Sequence, residues 1–261
     1  MPRFFLAVSL LLSTVLVVAQ NASASDPLAV SLAQKSFAAL TGGLPIADVT
    51  LTGAVTWTAG SDTETGTATL EALGMDESRM DLVLSGGSRS EIRDVSTGTP
   101  LGQWTASNNS SDFFALQNCF TDPVWFFPAL GSLSGGQTIV LVYIGQETRN
   151  GATVQHIRSY STQSPGLPPP LPSVQQLSTM DFYLDAATLL PSAIVFNSHP
   201  DSDPFTNIRV EIDFSNYQAI GGVMVPLHIQ RYWQGTLAVD LAITGATFNT
   251  GLSLSNFTIS Q

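Results

Sequence analysis

The chain has 261 residues, and nine Lys and Arg against twenty Asp and Glu give a formal charge of −11 at neutral pH. Lys35 is the sole lysine, so nucleic acid is an unsuitable partner, and docking on anionic headgroups or phosphates is opposed, because each needs clustered basic side chains to gain from counterion release. A single cysteine, Cys119, allows no intrachain disulfide, so the fold must be held by its core.

Met1, Pro2 and Arg3 precede a mostly apolar run over residues 4–18, the charged start and hydrophobic middle of a secretory signal. The run is shorter than the ~20 apolar residues of a membrane-spanning helix. Gln20 and Asn21 then lead into Ala22, Ser23 and Ala24, which places cleavage after Ala24 and makes residues 1–24 a signal peptide. A retained anchor helix is the rival, less suited to an Ala-x-Ala end followed by Ser25 and Asp26. No cysteine stands at the cleavage point to carry a lipid. Loss of Arg3 takes the formal charge from −11 to −12 and leaves about 237 residues, enough for one β domain with a sizeable core over residues 25–261. A periplasmic or secreted monomer, with no stable membrane insertion, is expected.

In the mature chain, Asp26 and Pro27 read as an N-cap and first helical residue, with Leu28, Leu32, Phe37 and Leu40 near helical spacing and Gly42 and Gly43 as the stop. Period-two alternation follows: Val49, Leu51, Val55 and Trp57 against threonines, then Ala68, Leu70 and Ala72, then Met80, Leu82 and Leu84. Residues 91–95 and 101–105 continue the meander, the latter carrying Trp104. Residues 110–133 break the pattern, gathering Phe113, Phe114, Phe120, Trp125, Phe126 and Phe127 with Pro123 and Pro128, and read as short helices and loop. Residues 139–144 and 153–161 predict a hairpin, whose Asn150-Gly151 suits a type I′ turn. A proline-rich loop over residues 164–172 separates this from a second meander over residues 180–184, 193–197, 208–214, 223–233, 238–247 and 252–259. A domain boundary at the loop is the alternative, although neither half shows a complete core of its own.

Chemistry is sparse. Gly-x-Ser-x-Gly is absent, and Gly86-Gly87-Ser88 sits where a hairpin turn is expected. His156, His199 and His228 show no metal-ligand spacing. The run from His199 to Pro204 offers Asp201 and Asp203 to a hard cation but lacks the glycine and distal glutamate of an EF-hand loop, and it suits a plain connection better. No catalytic residue, metal or cofactor is nominated. The aromatic residues of the 113–127 segment are either ordinary core or a mobile lid over an apolar cavity.

The order of elements, with the stretch from Asp181 through Leu190-Pro191 to Phe196 and the hairpin from Asp213 to Pro226, resembles the LolA-like, or lipoprotein-localisation, fold of periplasmic proteins. That resemblance implies a mainly β protein, a strongly curved antiparallel half-barrel with an N-terminal helix and short helices over its concave face. It implies binding of lipid or the acyl chains of an acylated protein, without catalysis or cofactor. Trp57, Leu82, Leu84, Phe113, Phe114, Trp125, Phe126 and Phe127 are the candidates for the lining. Two other readings stay open: a structural or adhesive β-sandwich without a cavity, and a hydrolase whose acids and histidines converge only in space.

Overall fold

The computed structural model describes residues 24–75, 77–95, 100–121, 133, 138–162 and 172–259. The signal segment, the proline-rich loop up to residue 171, and Trp125, Phe126 and Phe127 lie outside the described residues.

Helix α1, Pro27–Thr41, starts where Asp26 Oδ1 accepts the Leu28 N–H at 2.8 Å. It stops at Gly42, whose φ of 62° lets its N–H reach the Ala38 carbonyl. Its innermost residues are Ala29, Ala33, Ser36 and Leu40, while Leu28 is exposed and Leu32 and Phe37 are half-buried. The stripe facing the sheet is thus mostly small, shifted from the large apolar positions that the sequence suggests. Small side chains let the helix lie close against the strands, with the larger ones along its flanks.

Thirteen strands follow: β1 Asp48–Ala59, β2 Asp62–Leu73, β3 Glu77–Leu84, β4 Gly87–Asp94, β5 Leu101–Thr105, β6 Ser111–Phe113, β7 Ile139–Arg149, β8 Ala152–Ser161, β9 Met180–Asp185, β10 Pro191–Ser198, β11 Ile208–Ile220, β12 Val223–Trp233 and β13 Thr236–Phe248. A one-turn helix, α2, Val174–Leu177, precedes β9. All thirteen strands belong to one antiparallel sheet in the order β6-β5-β4-β3-β2-β1-β13-β12-β11-β10-β9-β8-β7, so the described strands do not form a two-sheet sandwich. Two meanders run inward from opposite edges and meet where β1 pairs with β13, Val49 opposite Phe248 through Trp57 opposite Val239. The Asn150-Gly151 turn has φ of 49° and 81°, as a type I′ hairpin requires. Residues 252–259, expected as a strand, instead form a short 3-10 turn at Leu254–Phe257, because after β13 the chain is turned by Asp48 and crosses to β3, where Arg79 Nη1 donates to Asn256 O at 3.1 Å.

The sheet bends because its ladders are interrupted. Register shifts fall at Thr52/Gly53 in β1, Arg231/Tyr232 in β12, Tyr143/Gly145 in β7 and Pro191/Ala193 in β10. Each irregularity turns the strand and increases its twist. At Gly53 a Cβ would stand 2.2 Å from the Ala242 carbonyl oxygen, so only glycine allows this close crossing. The concave face holds the core, with Leu51, Leu82, Leu141, Ile157, Phe182, Leu184, Ile194 and Ile212 fully buried. Helix α1 covers part of that face against β7 and β12. Just before it, Asp26 N–H donates to Leu141 O at 2.8 Å and Leu141 N–H to Ser25 Oγ at 3.0 Å, tying this segment to the edge strand β7.

The junction of the meanders is fastened by Asp48, the first residue of β1 and 4% exposed. Its carboxylate accepts the N–H groups of Thr250 at 2.7 Å, Gly251 at 2.9 Å and Leu252 at 3.3 Å, and the Thr250 hydroxyl at 3.0 Å. Burial pushes its pKa up, but these hydrogen bonds outweigh burial and hold it below the usual carboxylate range. A depressed folded pKa stabilises the protein fully above the unfolded value of ~3.9, and that contribution is lost as pH falls through the folded value. Asp48→Ala should therefore lower the urea-unfolding free energy by about 2–3 kcal/mol at pH 7, since buried donors lose a charged acceptor. The difference between the two proteins should shrink progressively below about pH 4.

Candidate functional site: an apolar cavity with arginines in its wall

A cavity of about 540 Å³ opens on the concave face. Its floor is Met80 and Leu82 of β3, Phe196 of β10, Val210 of β11 and Val239 of β13, and its sides carry Trp57, Trp104, Phe114 and Trp233. Between β5 and β10 there are eight strand spacings, about 38 Å in a flat sheet at ~4.8 Å each. Trp104 and Phe196 line one cavity, so the sheet is strongly curled.

The segment after β6 helps to hold that curvature. Its 3-10 turn, Leu116–Asn118, reaches the far meander: Asn118 Nδ2 donates to His199 O at 2.8 Å, and Asn118 Oδ1 accepts His199 N–H at 2.7 Å. Gln117 Nε2 donates to the carbonyls of Pro200 and Asp201, both at 3.1 Å. Cys119 lies in the same segment, 5% exposed, with its thiol pushed up by burial despite the nearby Arg93.

The candidates from the sequence are dispersed. Trp57, Leu82 and Phe114 stand in the cavity wall. Leu84 is buried on the concave side but outside the lining, and Phe113 is 45% exposed and borders a separate hollow of about 300 Å³ with Leu101, Leu254 and Phe257. Adjacent residues in extended chain face opposite ways, which separates Phe113 from Phe114.

What sequence reasoning missed is the charge inside. β4 alternates in an inverted sense: Arg89, Glu91 and Arg93 face the cavity, opposite Leu82, Met80 and Ser78 of β3, while Ile92 points to the other side. Arg-x-Glu-x-Arg beside an apolar strand was a usable signal, since period two puts all three on one face. Arg231 continues the concave face of β12 beyond Val225 and Ile229. Aromatic rings support these cations: the Arg89 guanidinium lies 4.0 Å from the Trp57 ring centre, Arg93 3.6 Å from that of Phe114, and Arg231 5.2 Å from that of Trp233. Arg89 also bonds Glu64 at 2.8 Å, and Arg231 meets Glu91 at 3.3 Å. At Gly102, facing Arg93 across β5, a Cβ would fall 1.9 Å from Arg93 Nη1, so this glycine leaves the room that the guanidinium occupies.

The convex face carries the remaining titratable clusters. Asp181 accepts from His156 at 2.8 Å and from Arg158 at 2.8 and 3.0 Å. Burial raises its pKa, but these partners bring it below the usual range. Arg149 pairs with Glu211. Ser215 Oγ lies 3.3 Å from His228 Nδ1, and His228 Nε2 lies 2.8 Å from Asp240 Oδ1, a sequence of residue types that evokes nucleophilic catalysis. Here they form a cross-strand polar ladder on β11, β12 and β13, and neither cavity includes any of the three. His156 on β8 and His228 on β12 are four strand spacings apart, about 19 Å, and His199 occupies the turn after β10. The histidines therefore do not converge. In that turn Asp203 is occupied by Phe205 N–H at 3.0 Å and the Thr206 hydroxyl at 2.6 Å. Among the described residues no group of three His, Cys, Asp or Glu is placed to hold a metal.

A buried thiol of raised pKa should react slowly. Ellman's reagent should leave Cys119 of the native protein essentially unlabelled over minutes at pH 8 and label one thiol per chain in urea; prompt native labelling would mean that the 114–121 segment detaches.

No family model matches the chain, and no curated protein matches it. Solved structures are similar to it in fold. A domain from Vibrio parahaemolyticus, provisionally assigned to outer membrane lipoprotein sorting, aligns at 15% identity over 87% of this chain and 95% of its own, with a TM-score of 0.56. A DUF1329-family protein from Desulfovibrio piger aligns at 11% identity over 88% and 96%, with a TM-score of 0.55. A LolA-superfamily protein from Nitrosomonas europaea aligns at 13% identity over 88% and 97%, with a TM-score of 0.54. Nearly complete coverage on both sides, together with the single curled sheet and its N-terminal helix, establishes that this chain has a LolA-like fold.

Proposed function

We propose that the protein is exported after cleavage near Ala24 and binds a hydrophobic ligand, a lipid or the acyl chains of a lipoprotein, without catalysing a reaction. The observation that carries this reading is the 540 Å³ cavity, whose floor is apolar and whose sides carry four aromatic rings. Its size falls in the range of small-molecule sites, and its lining joins these apolar groups to polar side chains of β4, β12 and the 114–121 segment. Apolar surface kept concave and unfilled by the described side chains forgoes burial worth about 25 cal/mol per Å². A ligand that supplies this burial is the simplest account of it. The printed descriptions of two similar structures, one of lipoprotein sorting and one of the LolA superfamily, support the same direction. No described helix is long and apolar enough to cross a membrane. Export rests on the charged start and apolar run of residues 1–18 and on Ala22-Ser23-Ala24.

Native mass spectrometry with lipid extraction, applied to protein purified from its own host, should reveal a co-purifying acylated lipid. In delipidated protein, a fatty acid with a nitroxide on its chain should quench fluorescence strongly, because three of the four tryptophans, Trp57, Trp104 and Trp233, line the cavity. A ligand-free protein that also ignores the labelled fatty acid would remove this reading in favour of a structural role.

A further inference from the structure

The chain is short of cations, yet Arg89, Arg93 and Arg231 are three of the eight Lys and Arg beyond Arg3, and all three border one cavity. Among the described lining residues Glu91 is the only carboxylate, and Glu64, outside the lining, pairs with Arg89. An arginine stays charged in any environment, so largely burying one is unfavourable unless anionic and aromatic neighbours compensate. Side-chain exposure is 25% for Arg89 and 11% for Arg231, and Arg93 as a whole residue is 9% exposed. A site built only for hydrocarbon has no use for this arrangement.

From these observations we infer that the ligand is an anionic amphiphile: its chain occupies the apolar floor, and its phosphate or carboxylate oxygens are taken by the arginine-bearing side formed by β4 and β12. This rests on the hydrophobic-ligand reading and specifies it. A guanidinium presents a planar fork that matches such oxygens bidentately. The aromatic rings of Trp57, Phe114 and Trp233 hold the guanidinium groups in position before a ligand arrives. The contacts of Arg231 with Glu91, at 3.3 and 3.4 Å, are long beside the ~2.8 Å of a strong charge-assisted bond. An incoming headgroup oxygen competes with Glu91 for the Arg231 guanidinium. The overall negative charge disfavours adsorption to anionic membrane surfaces, whereas a single extracted molecule meets the local positive side of the cavity.

The test is tryptophan-fluorescence titration of delipidated protein with three probes below their micelle concentrations: lysophosphatidylglycerol, lysophosphatidylcholine of the same acyl chain, and palmitate. Lysophosphatidylglycerol or palmitate should bind at least about tenfold more tightly than lysophosphatidylcholine, and the tighter of the two identifies the headgroup oxygen as phosphate or carboxylate. Raising salt from 50 to 500 mM should reduce the preference. Arg231→Gln should cut it to about twofold, while Glu91→Gln should tighten anionic binding, an opposite sign that loss of structure cannot produce. Should either variant fail to fold, the probe ranking and salt response of the natural protein decide the matter. Equal binding of lysophosphatidylcholine would overturn headgroup selection and leave the apolar-ligand reading intact. Failure of all three probes would overturn both.

Discussion

The pairing of β1 with β13 is the contact on which the structure depends. Everything else in the sheet is local: each strand pairs with its neighbour in sequence, within one of two meanders. Among the described strands only β1 and β13 pair across the two halves, and they do so across about two hundred residues with a bulge at Gly53 and a carboxylate clamp at Asp48. Without that ladder each meander would present an apolar face and an open edge, and neither has a second layer to cover them. With it, one sheet becomes wide enough to curl on itself, and its own curvature supplies the enclosure that a sandwich obtains from a second sheet.

Curling has a geometric limit that favours a cavity. Side chains on the concave side converge, and the deepest positions fill with Leu, Ile and Val until they touch. Toward one end the wall residues are large and planar or long and charged: three tryptophans, one phenylalanine and three arginines. Rings held against guanidinium groups line the wall without closing the space between them. Polarity is therefore inverted on β4, where charge faces in and Ile92 faces away, and with Arg231 of β12 the inversion marks a part of the concave face that is not built as core. Local patterning that contradicts global burial is expected at sites with a role beyond stability.

Much of the architecture was legible because period two is a strong signal. Ile208, Val210, Ile212 and Phe214 announce the inward face of β11, and Asn150-Gly151 fixes the β7–β8 hairpin through the backbone angles that Asn and Gly tolerate. The mostly small inner stripe of α1 was not legible, since only the distance between helix and sheet decides whether Ala29 or Leu28 is the better filler. The tail after β13 was read as a strand from its alternation, while Asp48, remote in sequence, directs it into a turn. The site divides in the same way. Trp57, Leu82 and Phe114 share a wall, but the arginines were counted only as a deficit in the whole chain, and a net charge says nothing about where the few positive groups gather.

The junction in the middle of the sheet also orders events in time. During synthesis the first meander emerges early, but the inner edge of β1 has no partner until the last strand has left the ribosome. The core therefore closes only once β13 has been made, however early the first meander forms, and the long-range step is the last one available to the chain.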